Sequence, residues 1–332
     1  MVLYIYDMLE KSNRSFKNMP VKRFLLGFVI FLCSVGTFEL LLRLLNYPYI
    51  GCREMDEVAE YQIGRYDPQL GWSYAPSRSV NHWDNKTYTF SKEGYRAQSV
   101  ADEPDYKKPF ILIVGDSFLF GHGLDFDETF GHKLAVQLHD TYNVLNFAVQ
   151  GYGLDQVYLR LQQLIPKYNP RYIIVDIHED QDYRNVNRDR RAFFPCSTLT
   201  GTKPVFSLVD NHLVLMHPPE RFETYDEPRL RLLVRRVGEV MSQKSNAKDA
   251  LSKRIYQEMK QYVTAHHAAL FDINYQMAVR DYQTDGKTAS SSAIVVDYGK
   301  EYAVDGVHPN GNATTRMVKD FMNAFGTVLI PQ

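Results

Sequence analysis

Cysteine is scarce in this chain, with three in 332 residues, and tryptophan is scarcer still at two. Three cysteines cannot staple a disulfide-dependent scaffold, so an apolar core has to hold the fold. Cys33 lies in an apolar run, which leaves Cys52 and Cys196 either to bridge in an oxidising compartment or to stand as unrelated thiols. An excess of charge of either sign is also missing, since 38 basic and 39 acidic residues give a net charge of −1. No long-range field therefore draws the protein to nucleic acid or anionic lipid. Low-complexity tracts and internal repeats are absent, which sets aside disordered and solenoid architectures.

What is present is concentrated at two places, and the first is near the start. Residues 24–45 read FLLGFVIFLCSVGTFELLLRLL. As a helix this run is about 33 Å long, enough to cross the hydrocarbon core of a bilayer. Lys11, Arg14, Lys17, Lys22 and Arg23 precede it, so residues 1–23 are expected to be a cytoplasmic leader and the rest of the chain to lie across the membrane. A cleaved signal peptide needs small residues after the run, and Asn46-Tyr47-Pro48-Tyr49 supplies none. The run is therefore expected to be an uncleaved signal anchor.

Residues 46–108 are polar, aromatic and rich in turn formers, and are expected to form an extended lead-in packing on the following domain. From Pro109 onwards apolar runs alternate with helical patterns. Strands are expected at Phe110–Val114, Val144–Val149, Tyr172–Ile177, Ala268–Ile273 and Ala293–Tyr298. Helices are expected at Thr129–Leu138, Asp155–Ile165, Arg229–Val240, Leu251–His266 and Thr314–Phe325. This alternation predicts an α/β fold over residues 109–332, a three-layer α/β/α sandwich with a parallel sheet of about five strands. Residues 183–228 show no period and are expected to be an irregular loop or insertion. Ligands of such sheets bind at the carboxyl ends of the strands.

The second concentration is chemical. Ser117 follows the first strand in Val114-Gly115-Asp116-Ser117-Phe118, where a serine is exposed at the sheet edge. Far downstream, His308 stands in Asp305-Gly306-Val307-His308-Pro309. A nucleophilic serine needs a base within hydrogen-bond reach, and the base needs an acceptor on its other nitrogen to fix its tautomer. An aspartate three residues before the histidine on a tight glycine loop can fold back to serve. Either motif alone reads equally well as a surface turn.

Together, and in this order, they resemble the defining blocks of the SGNH/GDSL hydrolases. The resemblance extends to Asn146-Phe147-Ala148-Val149-Gln150-Gly151-Tyr152-Gly153 and, in the lead-in, to Asp67-Pro68-Gln69-Leu70-Gly71-Trp72 and Glu93-Gly94-Tyr95-Arg96. These last are similar to a membrane-anchored bacterial branch. The resemblance implies a flavodoxin-like fold, Ser117 as nucleophile, His308 as base and Asp305 as its orienting partner. It also implies an oxyanion hole from the N–H groups of Ser117 and Gly151. The family's side-chain donor is usually an asparagine; matching strand lengths puts Gln181 there, one methylene longer. By the same resemblance the substrate is an acylated carbohydrate of the cell envelope or an exported polysaccharide, met at the periplasmic face of a bacterial inner membrane. No cofactor or metal is implied. A rival reading gathers Asp176, Asp180 and Asp182 around a divalent cation, and another keeps the fold as a non-catalytic polysaccharide-binding or assembly protein.

Overall fold

The computed structural model describes residues 21–47, 64–81, 85–139, 141–190, 201–221, 228–243, 247–275, 293–296, 299–303 and 305–330. Cys52 and Cys196 lie outside them. The chain divides into a small unit built on the N-terminal apolar segment and a large unit holding nearly everything else. In the small unit, α1 (Val21–Leu44) is a 24-residue helix whose most apolar 18-residue stretch has a mean hydropathy of 2.3, long and apolar enough to cross a membrane by length and composition. Near its end Glu39 pairs with Arg43 and accepts the backbone N–H groups of Arg229 and Leu230 at 2.9 and 2.8 Å. Those are the first residues of a later helix, and the carboxylate caps N–H groups that no helical carbonyl reaches.

The large unit opens with two antiparallel hairpins, β1 (Gly64–Asp67) with β2 (Gly71–Tyr74) and β3 (Arg78–Asn81) with β4 (Thr87–Phe90). The α/β alternation follows, with β5 (Phe110–Ile113), α2 (Ser117–Phe120), α3 (Phe130–Gln137), β6 (Asn143–Asn146), α4 (Leu154–Tyr168), β7 (Tyr172–Ile177) and α5 (Glu179–Asn185). A third hairpin joins β8 (Val205–Val209) to β9 (His212–His217). The chain ends with α6 (Arg229–Gln243), α7 (Ala247–Ala265), β10 (Ala269–Tyr275), β11 (Ala293–Val296) and α8 (Gly311–Leu329).

The five central strands pair in the order β6-β5-β7-β10-β11, all parallel. The α/β fold with a five-stranded parallel sheet is therefore the observed one, and its order has the switch point of doubly wound flavodoxin-like folds between β5 and β7. Every residue of β5 and β7 is buried. That is why both read in sequence as unbroken apolar runs and not as alternations.

The structure departs from the sequence reading in three places. Residues 183–228, expected to be irregular, contain β8 and β9. Their two-residue turn, Asp210-Asn211, has φ of 49° and 61°, the left-handed pair that matches strand twist. A short helix, α5, occupies the acidic stretch after β7, where no helix was expected. Finally, α4 runs on through Pro166 to Tyr168 and stops at Asn169, whose φ is 46°.

The lead-in supplies core as well as surface. Trp72, Tyr74, Tyr88, Phe90 and Tyr95 are buried in the same cluster as the sheet residues. Arg96, 3% exposed, ties this layer to the end of α2, donating to the carbonyls of Phe120 (3.2 Å), Gly121 (2.9 Å) and Leu124. Its guanidinium also lies over the rings of Tyr88 and Phe120, 4.4 and 4.6 Å from their centroids. A planar fork meets three carbonyls in a way a point-charge ammonium does not. Arg96→Lys is expected to destabilise the protein by about 2–4 kcal/mol, because buried carbonyls lose charge-assisted bonds. Chemical denaturation of the detergent-solubilised protein measures this, and an unshifted midpoint would remove Arg96 from the fold's anchors.

Candidate active site

Ser117 begins α2, just past the carboxyl end of the buried strand β5. Gly115 is required by close approach, since a Cβ there would lie 2.2 Å from Asp176 Oδ1 on β7. Asp116 caps the helix by accepting the Phe118 N–H at 2.9 Å. The turn closes at Gly121 with φ of 79°. Ser117 is thus held between a strand that cannot move and a capped helical turn, and it is 8% exposed.

Asp116 is the centre of a buried polar cluster. Its Oδ2 receives His178 Nε2 at 2.7 Å and the Arg184 guanidinium, and Arg184 also donates to the Tyr152 carbonyl at 2.9 Å. The Asp116 N–H donates to both oxygens of Asp176, at 3.2 and 3.3 Å. Burial opposes the charge on Asp116, but His178 and Arg184 outweigh it and hold this carboxyl well below the usual carboxylate range. Asp176 goes the other way. Burial and the neighbouring Asp116 charge push it well above that range.

His308 arrives from a tight loop. Asp305 Oδ1 accepts the backbone N–H groups of Val307 and His308, each at 3.0 Å, around Gly306 with φ of 74°. Asp305 Oδ2 bonds His308 Nδ1, and His308 Nε2 lies 2.7 Å from Ser117 Oγ. Phe118 packs on the imidazole with centroids 4.8 Å apart. Next along, Asn310 caps α8 by accepting the N–H groups of Asn312 and Ala313. The three residues singled out for acyl transfer therefore form one continuous hydrogen-bonded line.

Partial burial raises the Asp305 pKa, but the His308 side-chain bond, the two backbone N–H groups and the charge on His308 lower it further, and the net direction is well down.

Of the expected oxyanion donors, Gly151 sits at φ 78° in the loop after β6, with its carbonyl bonded by Arg190 Nη1 at 2.6 Å. That loop is pinned on both sides, by Val149 N–H to the Gly115 carbonyl (2.9 Å) and by Trp72 Nε1–H to the Gln150 carbonyl (3.0 Å). Gln181 is fully buried in the first turn of α5. Its Oε1 accepts the His178 N–H at 3.3 Å, and its Nε2 donates to the Asp176 carbonyl and carboxyl at 3.2 and 3.3 Å. The rival cation set does not assemble as imagined. Asp180 is exposed and faces Arg184 at 3.8 Å, while Asp176 converges with Asp116 and His178 instead of with Asp182.

Sequence reasoning missed His178, Arg184 and His122. The first two lie in the acidic stretch after β7, and only their placement against Asp116 gives them a role. His122 stands one residue beyond the α2 turn, its ring centroid 4.7 Å from that of His308. A polar residue next to Gly121 was the one available signal.

No family model matches the chain, and no curated protein matches it. Among solved structures, that of TesA is 14% identical at a TM-score of 0.39, covering 67% of this chain and 99% of its own. The lipase Lip_vut3 from a goat rumen metagenome is 11% identical at 0.37, covering 65% and 97%. The psychrotrophic esterase EstA from Pseudoalteromonas sp. is 15% identical at 0.33, covering 67% and 99%. At such scores these likenesses carry no weight for chemistry, which has to be read from the side chains.

The depressed Asp305 pKa has a consequence for stability. A carboxyl whose folded pKa lies below its unfolded value of about 3.9 stabilises the fold above that pH and loses the contribution as pH falls towards the folded value. The melting-temperature difference between wild type and Asp305→Asn is therefore expected to shrink as the pH falls below about 4. A difference that stays undiminished well below pH 4 would contradict an Asp305 carboxylate whose pKa is lowered by the fold.

Proposed function

We propose that this chain is a membrane-anchored serine esterase or acyl-transfer enzyme of the SGNH type, with Ser117 as nucleophile, His308 as general base and Asp305 as orienting carboxylate. The observation that carries the reading is the unbroken line from Ser117 Oγ through both nitrogens of His308 to Asp305 Oδ2. A turn or a core histidine has no need of an acceptor on one ring nitrogen and a serine hydroxyl on the other.

The reaction follows from that line. His308 Nε2 takes the Ser117 proton as Oγ attacks an ester carbonyl, and returns it to the departing alcohol. Asp305, kept ionised by its three hydrogen bonds, stabilises the imidazolium between these steps. Water resolves the acyl-enzyme in a hydrolase; a sugar hydroxyl does so in a transferase. The backbone N–H groups of Ser117 and Gly151 are assigned to the oxyanion. Gln181 joins them by exchanging a bond to Asp176 for one to the developing charge. The exchange is favourable because burial and the Asp116 charge disfavour the charged form of Asp176, whereas the oxyanion carries full negative charge.

The location and substrate are part of the same proposal. An apolar α1 of about 36 Å behind a basic leader fits a signal anchor that places the site on the periplasmic side of a bacterial inner membrane. Acylated polysaccharides of the envelope are the esters available there to an anchored enzyme.

Labelling the detergent-solubilised full-length protein with a serine-reactive fluorophosphonate is expected to modify Ser117. Ser117→Ala is expected to abolish labelling and His308→Ala to slow hydrolysis of a small acetyl ester by about 10⁴–10⁶. Native circular dichroism in both variants with undiminished turnover would reject the triad. Gln181→Ala is expected to lower kcat by about 10²–10³ with KM little changed, since its bond to the substrate oxygen forms only as charge develops. Unchanged kcat in that variant removes Gln181 from the oxyanion hole and favours the backbone donors alone.

A further inference from the structure

A surface helix of a globular domain ordinarily turns an apolar stripe inward and a charged face to water. The helix α6 does the reverse. On its inward side Glu239 is buried and accepts the backbone N–H groups of Arg188 at 3.0 Å and Asp189 at 2.8 Å, while Arg235 pairs with the Asp189 carboxylate. On the opposite side Leu230, Val234, Val237 and Met241 follow one another at the alternating four- and three-residue steps of a single helical stripe. Leu230 is half-buried, but Val234, Val237 and Met241 are 66%, 54% and 64% exposed. A Cβ built at Gly238, beside them, would meet nothing within 4 Å. One exposed valine needs no explanation. An outward stripe over about three turns, opposite a buried carboxylate, marks a face that something other than water covers.

The start of α6 indicates what covers it. The N–H groups of Arg229 and Leu230 are accepted by Glu39, and the Arg229 guanidinium donates to Asn46 Oδ1 at 3.3 Å. Glu39 precedes the last residue of α1 by five positions, about 8 Å along the helix axis. Where α1 crosses a bilayer, that end emerges among the headgroups, and the first turn of α6 is bonded to it there. Arg231, exposed, and Arg236, partly exposed, stand on the two sides of the stripe. Such side chains reach lipid phosphates with their guanidinium groups while their stems cover apolar surface.

We propose that α6 is an interfacial helix, its stripe of Leu230, Val234, Val237 and Met241 embedded at the headgroup–acyl boundary of the phospholipid bilayer that α1 crosses. The stripe is then a second attachment to the membrane beyond the span itself. The proposal rests on the reading of α1 as a membrane anchor and is independent of the esterase chemistry.

Fluorescence of the full-length protein in phosphatidylcholine–phosphatidylglycerol vesicles with brominated acyl chains tests this. After subtraction of the wild-type emission, the signal added by Val237→Trp or Met241→Trp is expected to be largely lost relative to unbrominated vesicles. The signal added by Tyr106→Trp, at an exposed position before β5, is expected to survive. Val234→Glu together with Val237→Glu is expected to abolish the quenching of Met241→Trp, yet to leave the protein resistant to carbonate extraction, because α1 still holds it. The interfacial helix is overturned by stripe positions quenched no more than Tyr106→Trp, or by quenching that survives the two glutamates. Blue-shifted emission without quenching would place the stripe against protein, such as a second copy of this chain, and overturns it equally. Carbonate extraction of the wild-type protein would refute the anchor and the proposal resting on it. Carbonate-resistant protein with unquenched stripe positions refutes the interfacial helix alone.

Discussion

One buried negative charge determines where Ser117 stands. Asp116 is wholly enclosed, and a lone carboxylate in such a place would cost several kcal/mol. It is tolerated because His178 and Arg184 meet the same oxygen, while its other oxygen caps the Phe118 N–H. Those partners come from the residue that follows β7 and from α5, so the charge bolts the turn after β5 to the neighbouring strand's end. Asp176 completes the arrangement by holding its proton more tightly than a free carboxyl does. Two ionised carboxylates so close repel, so burial and the Asp116 charge together disfavour the charged form of Asp176. The absence of a Cβ at Gly115 is what lets the two chains approach this far.

The sheet and the Asp305–His308 contact were legible because each depends on local pattern. β5 and β7 are buried on both faces, so they had to be continuous apolar runs, and the positions read for them differ from the observed ones by a residue at most. Asp305 and His308 lie three apart, and a glycine loop of that length leaves one way for the carboxylate to meet the ring. What was not legible depends on partners distant in the chain. Nothing in Asp116 itself points to Arg184, 68 positions on. The side chain of Gln181 was assigned by position in a block, whereas its bonds are set by burial beside Asp176. The β8–β9 hairpin was hidden by its turn: Asp-Asn adopts the paired left-handed conformation here without the glycine that usually announces it.

The lead-in explains why the chain is long for a five-stranded sheet. Its aromatic residues bury Phe120 and Phe147, which close the sheet on the side of α2. Arg96 then satisfies the carbonyls at the end of α2, a helix too short to satisfy its own. The Arg96 N–H also bonds the Asn146 carbonyl at 2.9 Å, at the end of β6 and next to the loop that carries Gly151. One residue outside the α/β alternation therefore ties the end of α2 to the end of β6.

The two carboxylates that flank Ser117 in space divide the work that a single one could not do. Asp116 is deeply buried and bonded by Arg184 and His178 on one oxygen, so its charge is held in place and its energy goes into geometry. Asp305 is partly exposed, bonded by two backbone N–H groups and one imidazole, and its charge is free to respond when that imidazole gains a proton. Had Asp116 been the acid facing His308, the guanidinium on the same oxygen would have opposed every imidazolium that formed. Had Asp305 carried the turn, Ser117 would rest on a partly exposed loop. Placing one charge under the sheet edge and the other in a surface loop fixes the serine while leaving the Asp305–His308 pair nearer to solvent.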